Sequence, residues 1–217
     1  MTRFSAVTRA AVATSMLILG STLPAFAQTS TDANTTLVRV RILNFAPANQ
    51  SDAIPALGVA ANQITTTNRL IPDVDVSYFF KNPHYAAELV LTYPQRHVVN
   101  LNGATIGAFE ELPPTLTAQY HFTPGAKFQP YIGVGVNETL ISGVSVNVPG
   151  VGALKLASSS TGFAYQLGAD FKVAPKRYVN IDVKHIGITT PVYSGSTAVS
   201  SARLNPWLFG IGYGIRL

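Results

Sequence analysis

The last eleven residues of the chain, Trp207 to Leu217, alternate between two kinds of side chain. One parity holds three glycines and Arg216, and the other is wholly apolar: Trp207, Phe209, Ile211, Tyr213, Ile215 and Leu217. A β-strand sends successive side chains to opposite faces, so one face suits hydrocarbon and the other suits a narrow, partly polar interior. At a chain end with no helix to cover the apolar face, this pattern predicts a strand of a transmembrane β-barrel.

The N-terminus has the features of an export signal. Arg3 and Arg9 precede an apolar stretch, and Ala25-Phe26-Ala27 matches an A-x-A cleavage site. We therefore predict a signal peptide over residues 1–27, although a membrane helix is the rival interpretation. Its removal lowers the formal net charge from +5 to +3, an excess too small and dispersed to predict nucleic-acid binding.

The chain is rich in apolar residues, but they do not form the long runs that membrane helices need. Hydrophobic residues make up 47% of the chain and charged residues 12%, yet beyond the signal no apolar run approaches the ~20 residues of a membrane helix. In strands that face lipid on one side only, apolar residues alternate with polar ones, so no long apolar run forms. The chain has no cysteine, which excludes disulfides and thiolate chemistry.

Seven further segments alternate in the same way before the C-terminal strand, near residues 37–45, 68–80, 85–93, 116–122, 131–137, 163–172 and 179–184. Three connectors are short (81–83, 123–127 and 174–176), and four are long (46–67, 94–114, 140–160 and 189–203). Short periplasmic turns and long outer loops are typical of bacterial barrels. We predict an all-β fold, an eight-stranded antiparallel up-and-down transmembrane β-barrel over residues 37–217, after a short periplasmic tail over 28–36.

Aromatic residues cluster where the short turns lie, as expected of an interfacial girdle. The predicted periplasmic girdle comprises Tyr78, Phe80, Tyr85, Tyr120, Phe122, Phe128, Phe171 and Tyr178. A thinner outer set comprises Tyr93, Phe163 and Trp207.

Strand parity places charged and amide side chains inside the predicted barrel: Arg39, Arg41, Asp73, Asp75, Glu88, Gln119, Gln166, Asp170, Asp182, Lys184 and Arg216. Both signs occur, and buried charges are usually paired. Because an eight-stranded barrel is just wide enough to be filled by side chains, we expect a polar plug that closes the lumen. A charge-selective pore is the alternative.

Nearer the outer rim the inward positions are apolar: Leu43, Phe45, Ile71, Val90, Ile186, Ile188 and Leu208. Apolar side chains depart from the usual polar lumen of membrane barrels. They predict a narrow hydrophobic lumen open to the outside, unless they simply pack beneath the loops.

Catalytic motifs are sparse, and we expect no enzymatic activity, metal ion or cofactor. His84 and His121 share the inward face near two short turns, where they suit either two ligands of a metal site or members of the polar plug. His185 falls on the lipid-facing parity, without a serine on an adjacent strand that shares its face.

Several motifs occur in a characteristic order along nearly the whole mature chain. They are 112–116 (LPPTL) running into 119–122 (QYHF), 130–137 (PYIGVGVN), 162–170 (GFAYQLGAD), 180–183 (NIDV) and 204–207 (LNPW) with the C-terminal strand. Together they resemble the outer-membrane protein W (OmpW) family, which includes the AlkL-type proteins of alkane-using bacteria. The resemblance assigns structural roles to the motif positions Pro113, Pro114, Tyr131, Gly133, Gly135, Asn137, Pro206 and Trp207.

The resemblance implies an eight-stranded barrel in the outer membrane of a Gram-negative bacterium, with a hydrophobic channel that passes small apolar molecules inward. In that picture the molecules leave sideways through the barrel wall. Expected partners are outer-membrane lipid and lipopolysaccharide, the barrel assembly machinery and small hydrophobic ligands. The alternative function is a structural or interaction barrel with a filled lumen, whose surface loops bind phage, bacteriocins or other surfaces.

Overall fold

The computed structural model describes residues 35–55, 58–148, 150 and 152–217, so the predicted signal peptide and most of the predicted tail lie outside the described residues. The described strands are β1 (Thr36–Ala46), β2 (Gln50–Ser51), β3 (Ile64–Thr66), β4 (Arg69–Phe79), β5 (Tyr85–Thr92), β6 (Gln95–Leu101), β7 (Ala104–Leu112), β8 (Thr115–His121), β9 (Phe128–Val148), β10 (Gly152–Leu156), β11 (Ser159–Ala174), β12 (Arg177–Ile186), β13 (Thr189–Ser194), β14 (Thr197–Arg203) and β15 (Trp207–Arg216). In this part of the chain, no helix is long and apolar enough to cross a membrane.

Eight of these strands close a barrel, and the predicted antiparallel up-and-down topology is confirmed. Going round the wall, the order is β1, β4, β5, β8, β9, β11, β12 and β15, and β15 pairs again with β1. Within the described residues, each of the eight strands pairs with a neighbour on both sides, which is what a spanning β-structure requires in hydrocarbon.

The two faces of each barrel strand follow the predicted parity. In β1, Val40 and Ile42 are exposed on the outer surface, whereas Arg39 and Arg41 between them are buried. Gly212 of β15 lies opposite Arg41, and a Cβ added there would overlap the Arg41 side chain and the backbone of β1. The small inward residues of β15 therefore leave the space that large side chains of β1 occupy.

The aromatic residues near the short turns lie on the outer surface with one exception. Tyr78, Phe80, Tyr85, Tyr120, Phe122, Phe128 and Phe171 are exposed, as predicted. Tyr178 is buried instead, and its assignment to the girdle was wrong. Tyr178 shares the inward parity of Asn180 and Asp182, and it packs in a small cluster with Leu37, Phe79 and Ala86 at the periplasmic end.

The four long connectors contain paired strands, where the sequence predicted loops. β6 and β7 form one hairpin, β13 and β14 form another, and β9 continues to Val148 before it pairs with β10. In the order β3, β6, β7, β9, β10, β13, β14 and β2, these strands form an upper tier that continues the barrel wall outward. Pairing of these strands satisfies their backbone N–H and C=O groups. Because their side chains alternate between two faces, the inward faces add a second apolar interior.

Side chains of the first connector close the upper tier between its two end strands. Asn49 donates from Nδ2 to the Thr66 carbonyl (3.0 Å) and accepts at Oδ1 from the Thr66 N–H (2.7 Å). The Ser51 N–H donates to Asn62 Oδ1 at 3.1 Å, and the Asn62 N–H returns a bond to the Ser51 carbonyl. Asn49 and Asn62 both have positive φ, a conformation that asparagine tolerates better than most residues.

Candidate functional site

The lower half of the barrel interior contains a compact layer of ions. This ionic layer comprises Arg39, Arg41, Asp73, Asp75, Glu88, Asp170, Asp182 and Lys184, all buried. Arg39 binds Asp75 and Asp170 with shortest N–O distances of 2.6 Å each, and Arg41 binds Asp73 at 2.8 Å. β4 places Asp75 opposite Arg39 and Asp73 opposite Arg41, and Lys184 meets Glu88, so every cation of the layer contacts at least one carboxylate.

Amide and phenol groups complete the layer. Lys184 Nζ lies 2.6 Å from Glu88 Oε1, while the amide of Gln119 donates to the second Glu88 oxygen at 2.8 Å. Gln166 donates to Asp182 at 2.7 Å, and Tyr131 donates its hydroxyl proton to the same carboxylate oxygen at 2.9 Å. Charges of both signs that are hydrogen-bonded in this way meet the condition under which ions persist in a protein interior.

Two of the predicted inward residues lie near the periplasmic end. Arg216 is only partly buried, and its guanidinium carbon lies 4.0 Å from the centroid of the Phe79 ring. His121 is buried, and its Nε2 lies 3.1 Å from Gln119 Oε1. His84 does not face His121 ring to ring; its Nδ1 contacts the His121 carbonyl oxygen, and its ring stacks on Tyr120.

Immediately above the ionic layer lies a small apolar cavity, which we call the lower cavity. It measures about 20 Å³, and five of the seven predicted lumen residues line it together with Pro113: Leu43, Phe45, Ile71, Val90 and Leu208. Ile186 and Ile188 are fully buried in the adjoining hydrophobic cluster. Arg41, Asp182 and Lys184 also line the lower cavity, so its floor is the ionic layer.

The upper tier encloses a second space, the upper cavity, of about 50 Å³. Its apolar lining includes Ile64, Val99, Ile106, Phe109, Val146, Leu154, Leu156, Val192 and Leu204. None of these residues was predicted to line the lumen, because all of them except Leu204 lie in segments that were assigned to loops. Asn102-Gly103, with φ of 50° and 81°, is the kind of dipeptide that marks a tight hairpin, and it was the available signal for β6 and β7.

The wall beside the lower cavity has a gap in its backbone pairing. On one side, β4 pairs with β1 along its length from Tyr78 to Arg69. On the other side, its pairing with β5 ends earlier, at Asp73 opposite Thr92. Two side chains cross the gap: Thr92 Oγ1 donates to the Pro72 carbonyl at 3.1 Å, and Arg69 donates to the Arg96 carbonyl. Thr92 lines the lower cavity, and it also lines a groove on the lipid-facing surface with Val40, Pro72 and Leu91.

A family comparison agrees with this architecture. The sequence profile of the OmpW family matches residues 32–217. Outer membrane protein W of Vibrio cholerae is 29% identical over 210 residues, which cover 90% of this chain and 93% of the relative. An uncharacterized outer-membrane protein of Sinorhizobium fredii is 37% identical over 161 residues, 71% of this chain and 69% of its own. Both relatives are outer-membrane proteins.

Solved structures have the same fold. The crystal structure of OprG from Pseudomonas aeruginosa superposes with a TM-score of 0.71 at 25% identity, covering 85% of this chain and 98% of that protein. The solid-state NMR structure of AlkL in lipid bilayers superposes with a TM-score of 0.67 at 17% identity, covering 88% and 94%.

Proposed function

This chain belongs to the OmpW family and lies in the outer membrane of a Gram-negative bacterium, and from that premise we propose that it forms a narrow hydrophobic channel for passive uptake of small apolar molecules. Entry is from the outside into the upper cavity. Binding rests on apolar contact, without covalent chemistry or energy coupling. The surrounding lipid is the environment of the barrel, and we extend the proposal to contacts with lipopolysaccharide and to assembly by the barrel assembly machinery.

One observation carries the proposal: the interior is apolar where it opens outward and ionic where it would open to the periplasm. The lower cavity is lined by Leu43, Phe45 and Ile71 and rests directly on Arg41 and Lys184. An apolar molecule gains from leaving water for the cavities, because transfer of apolar surface is favourable. It gains nothing from the ionic layer, where it would have to separate paired charges.

A lateral exit follows from this barrier. The family resemblance implies a sideways route, and the gap between β4 and β5 supports a position for it. Thr92 lines both the lower cavity and the lipid-facing groove, and its side chain is held by neutral hydrogen bonds to the Pro72 carbonyl and from the Gln95 amide. Movement of that side chain would join the cavity to hydrocarbon, the most favourable destination for an apolar molecule.

The test is the uptake of a small alkane or an apolar dye by outer-membrane vesicles or cells, with and without the protein. Ile188→Asp places a charge in the hydrophobic cluster, and we expect uptake to fall to the level seen without the protein. Ile188→Leu is the matched control and should retain uptake, because it conserves apolar volume. Assembly of both variants is checked by the heat-dependent migration of folded barrels on gels.

If Ile188→Asp does not assemble, Ile188→Thr provides a milder polar change at the same position and should slow uptake. Unchanged uptake in an assembled Ile188→Asp variant would contradict the channel. It would instead favour the alternative of a filled structural or interaction barrel that acts through its outer surface.

A further inference from the structure

Along β7 and β8, inward side chains mark the passage from the upper cavity to the lower one. Phe109 lines the upper cavity, whereas Pro113 and Thr115 line the lower cavity. Glu111 lies on the same face between Phe109 and Pro113, and it is 1% exposed. A carboxyl group therefore occupies the boundary between two apolar spaces.

His97 lies at the same boundary on the neighbouring strand β6, directly opposite Phe109. Its ring is sandwiched between two phenyl rings, with centroids 4.9 Å from Phe45 and 5.5 Å from Phe109. Phe45 lines the lower cavity and Phe109 the upper one. The imidazole therefore lies between a ring that lines the lower cavity and a ring that lines the upper cavity.

The polar atoms of this pair are incompletely satisfied. His97 Nε2 and Glu111 Oε1 are 3.1 Å apart, and both side chains are fully buried. Within the described residues, neither ring nitrogen and neither carboxylate oxygen has a hydrogen-bond partner of acceptable geometry. Two of these atoms, His97 Nδ1 and Glu111 Oε2, also have no ion-pair contact within the described residues. Buried polar atoms nearly always have a partner, so these two favour a ligand group that supplies one.

We propose that His97 and Glu111 form a polar anchor for the neutral hydroxyl group of a small amphipathic molecule whose hydrocarbon part lies in the adjoining cavities. This inference rests on the proposed function and adds a class of preferred cargo, short-chain alcohols. A hydroxyl group donates one hydrogen bond and also accepts through its oxygen lone pairs. The carboxylate oxygens accept, and one imidazole nitrogen donates, so the pair presents both complementary roles.

The hydrogen-bonding groups of His97 and Glu111 should favour an alcohol over an alkane or an alkanoate of equal chain length. An alkane leaves the polar atoms of both side chains unpaired, which a site built for hydrogen bonding penalises. An alkanoate brings a second carboxylate beside Glu111, where like charges in an apolar setting repel. The expected order of affinity is therefore 1-hexanol, then hexane, then hexanoate.

The test observes the imidazole resonances of the full protein in lipid nanodiscs by ¹⁵N–¹³C NMR during titration with each of these three probes and with hexylamine. We expect 1-hexanol to shift the His97 signals saturably, with little change in those of His84, His121 and His185. Signals are assigned by comparison with His97→Leu. Hexane binding is followed through the methyl resonances of Val99 and Leu154, which line the upper cavity.

Three variants separate the anchor from general packing. His97→Leu and Glu111→Leu should each weaken 1-hexanol binding by roughly tenfold, the equivalent of one net hydrogen bond, and leave hexane binding unchanged or tighter. Glu111→Gln conserves shape and hydrogen bonding but removes the charge, so it should retain 1-hexanol and admit hexanoate. Thr190→Val is the matched control, because Thr190 is another buried polar residue that lines the upper cavity. This substitution should not change the order of affinity among the probes.

Equal affinities for hexane and 1-hexanol would overturn the anchor and leave the hydrophobic channel intact. Stronger binding of hexylamine than of 1-hexanol would overturn it in favour of a cation site. Binding of none of the probes would overturn both the anchor and the proposed function. Retention of the hexanol preference by an assembled His97→Leu, Glu111→Leu double variant would likewise contradict the anchor.

Discussion

Arg39 and Asp170 join strands that are not neighbours in the barrel wall. Arg39 projects from β1 and Asp170 from β11, and their side chains form a bidentate pair with N–O distances of 2.9 and 2.6 Å. The remaining Arg39 nitrogen binds Asp75 on β4. One guanidinium therefore ties together two sides of the lumen through bonds that a planar fork is well suited to make.

Removal of that guanidinium should destabilise the barrel severely. Arg39→Met keeps most of the side-chain volume but leaves Asp170 without a cation and Asp75 with Arg41 alone, a change that costs about 3–5 kcal/mol. Urea unfolding in lipid vesicles measures the loss. Lys81→Ala, in an exposed short turn, is the control and should stay within about 0.5 kcal/mol of the parent. A loss for Arg39→Met as small as that of Lys81→Ala would show that the pair contributes little.

The sequence predicts that Arg39 and Asp170 point inward, but it does not predict that they meet. Parity alone assigns each side chain to a face. The partner across the lumen depends on how far each strand is staggered when the barrel closes, a property of the whole sheet. Tyr178 is a different case, because its parity already places it inside and only its aromatic character suggested the interface.

The upper cavity escaped prediction for a different reason. Segments 94–114, 140–160 and 189–203 are long enough for loops, and barrel connectors on the outer side are usually loops. The hairpins β6–β7 and β13–β14 are local, but their assembly with β9 and β10 into one tier depends on contacts between connectors distant in sequence. His97 and Glu111 could be found only after β6 and β7 were aligned, because the alignment brings their side chains together.

Gly168 should be intolerant of even one methyl group. A Cβ at this position would overlap the ring of Tyr131, whose hydroxyl binds Asp182 in the ionic layer. We expect Gly168→Ala to lower the free energy of unfolding by about 1–3 kcal/mol through overpacking. Gly187→Ala is the matched control, since its nearest new contact is an ordinary 3.5 Å, and it should be neutral. Equal stability of the two variants in urea would contradict this packing.

Asn49 should control the closure of the upper tier. Asn49→Gly retains the positive φ but deletes the side chain that holds Thr66, so amide exchange at Thr66 should accelerate by roughly tenfold for the loss of one net hydrogen bond. Asn49→Asp keeps the acceptor for the Thr66 N–H and should retain most of the protection. Both rates are measured by hydrogen exchange followed by NMR in nanodiscs. Equal acceleration in both variants would indicate that the side chain does not close the tier.

Pro72 should determine how easily the lateral wall opens. In an antiparallel strand the C=O and N–H of one residue point the same way, and the Pro72 carbonyl faces Thr92 of β5. Because proline has no backbone N–H, a hydrogen-bond donor is missing from the side of β4 that borders the gap. Pro72→Val restores an N–H toward β5, and one added net hydrogen bond should slow uptake of a small alkane by roughly fivefold.

Pro191→Val is the matched control for this variant, because it changes a proline to the same residue in β13 of the upper tier, away from the gap. Its uptake should equal that of the parent. Pro72→Gly supplies the same N–H with no side chain, so slow uptake in both Pro72 variants would assign the effect to the hydrogen bond rather than to bulk. If both variants take up alkane at the parent rate while Ile188→Asp does not, the apolar molecule leaves the barrel somewhere other than between β4 and β5.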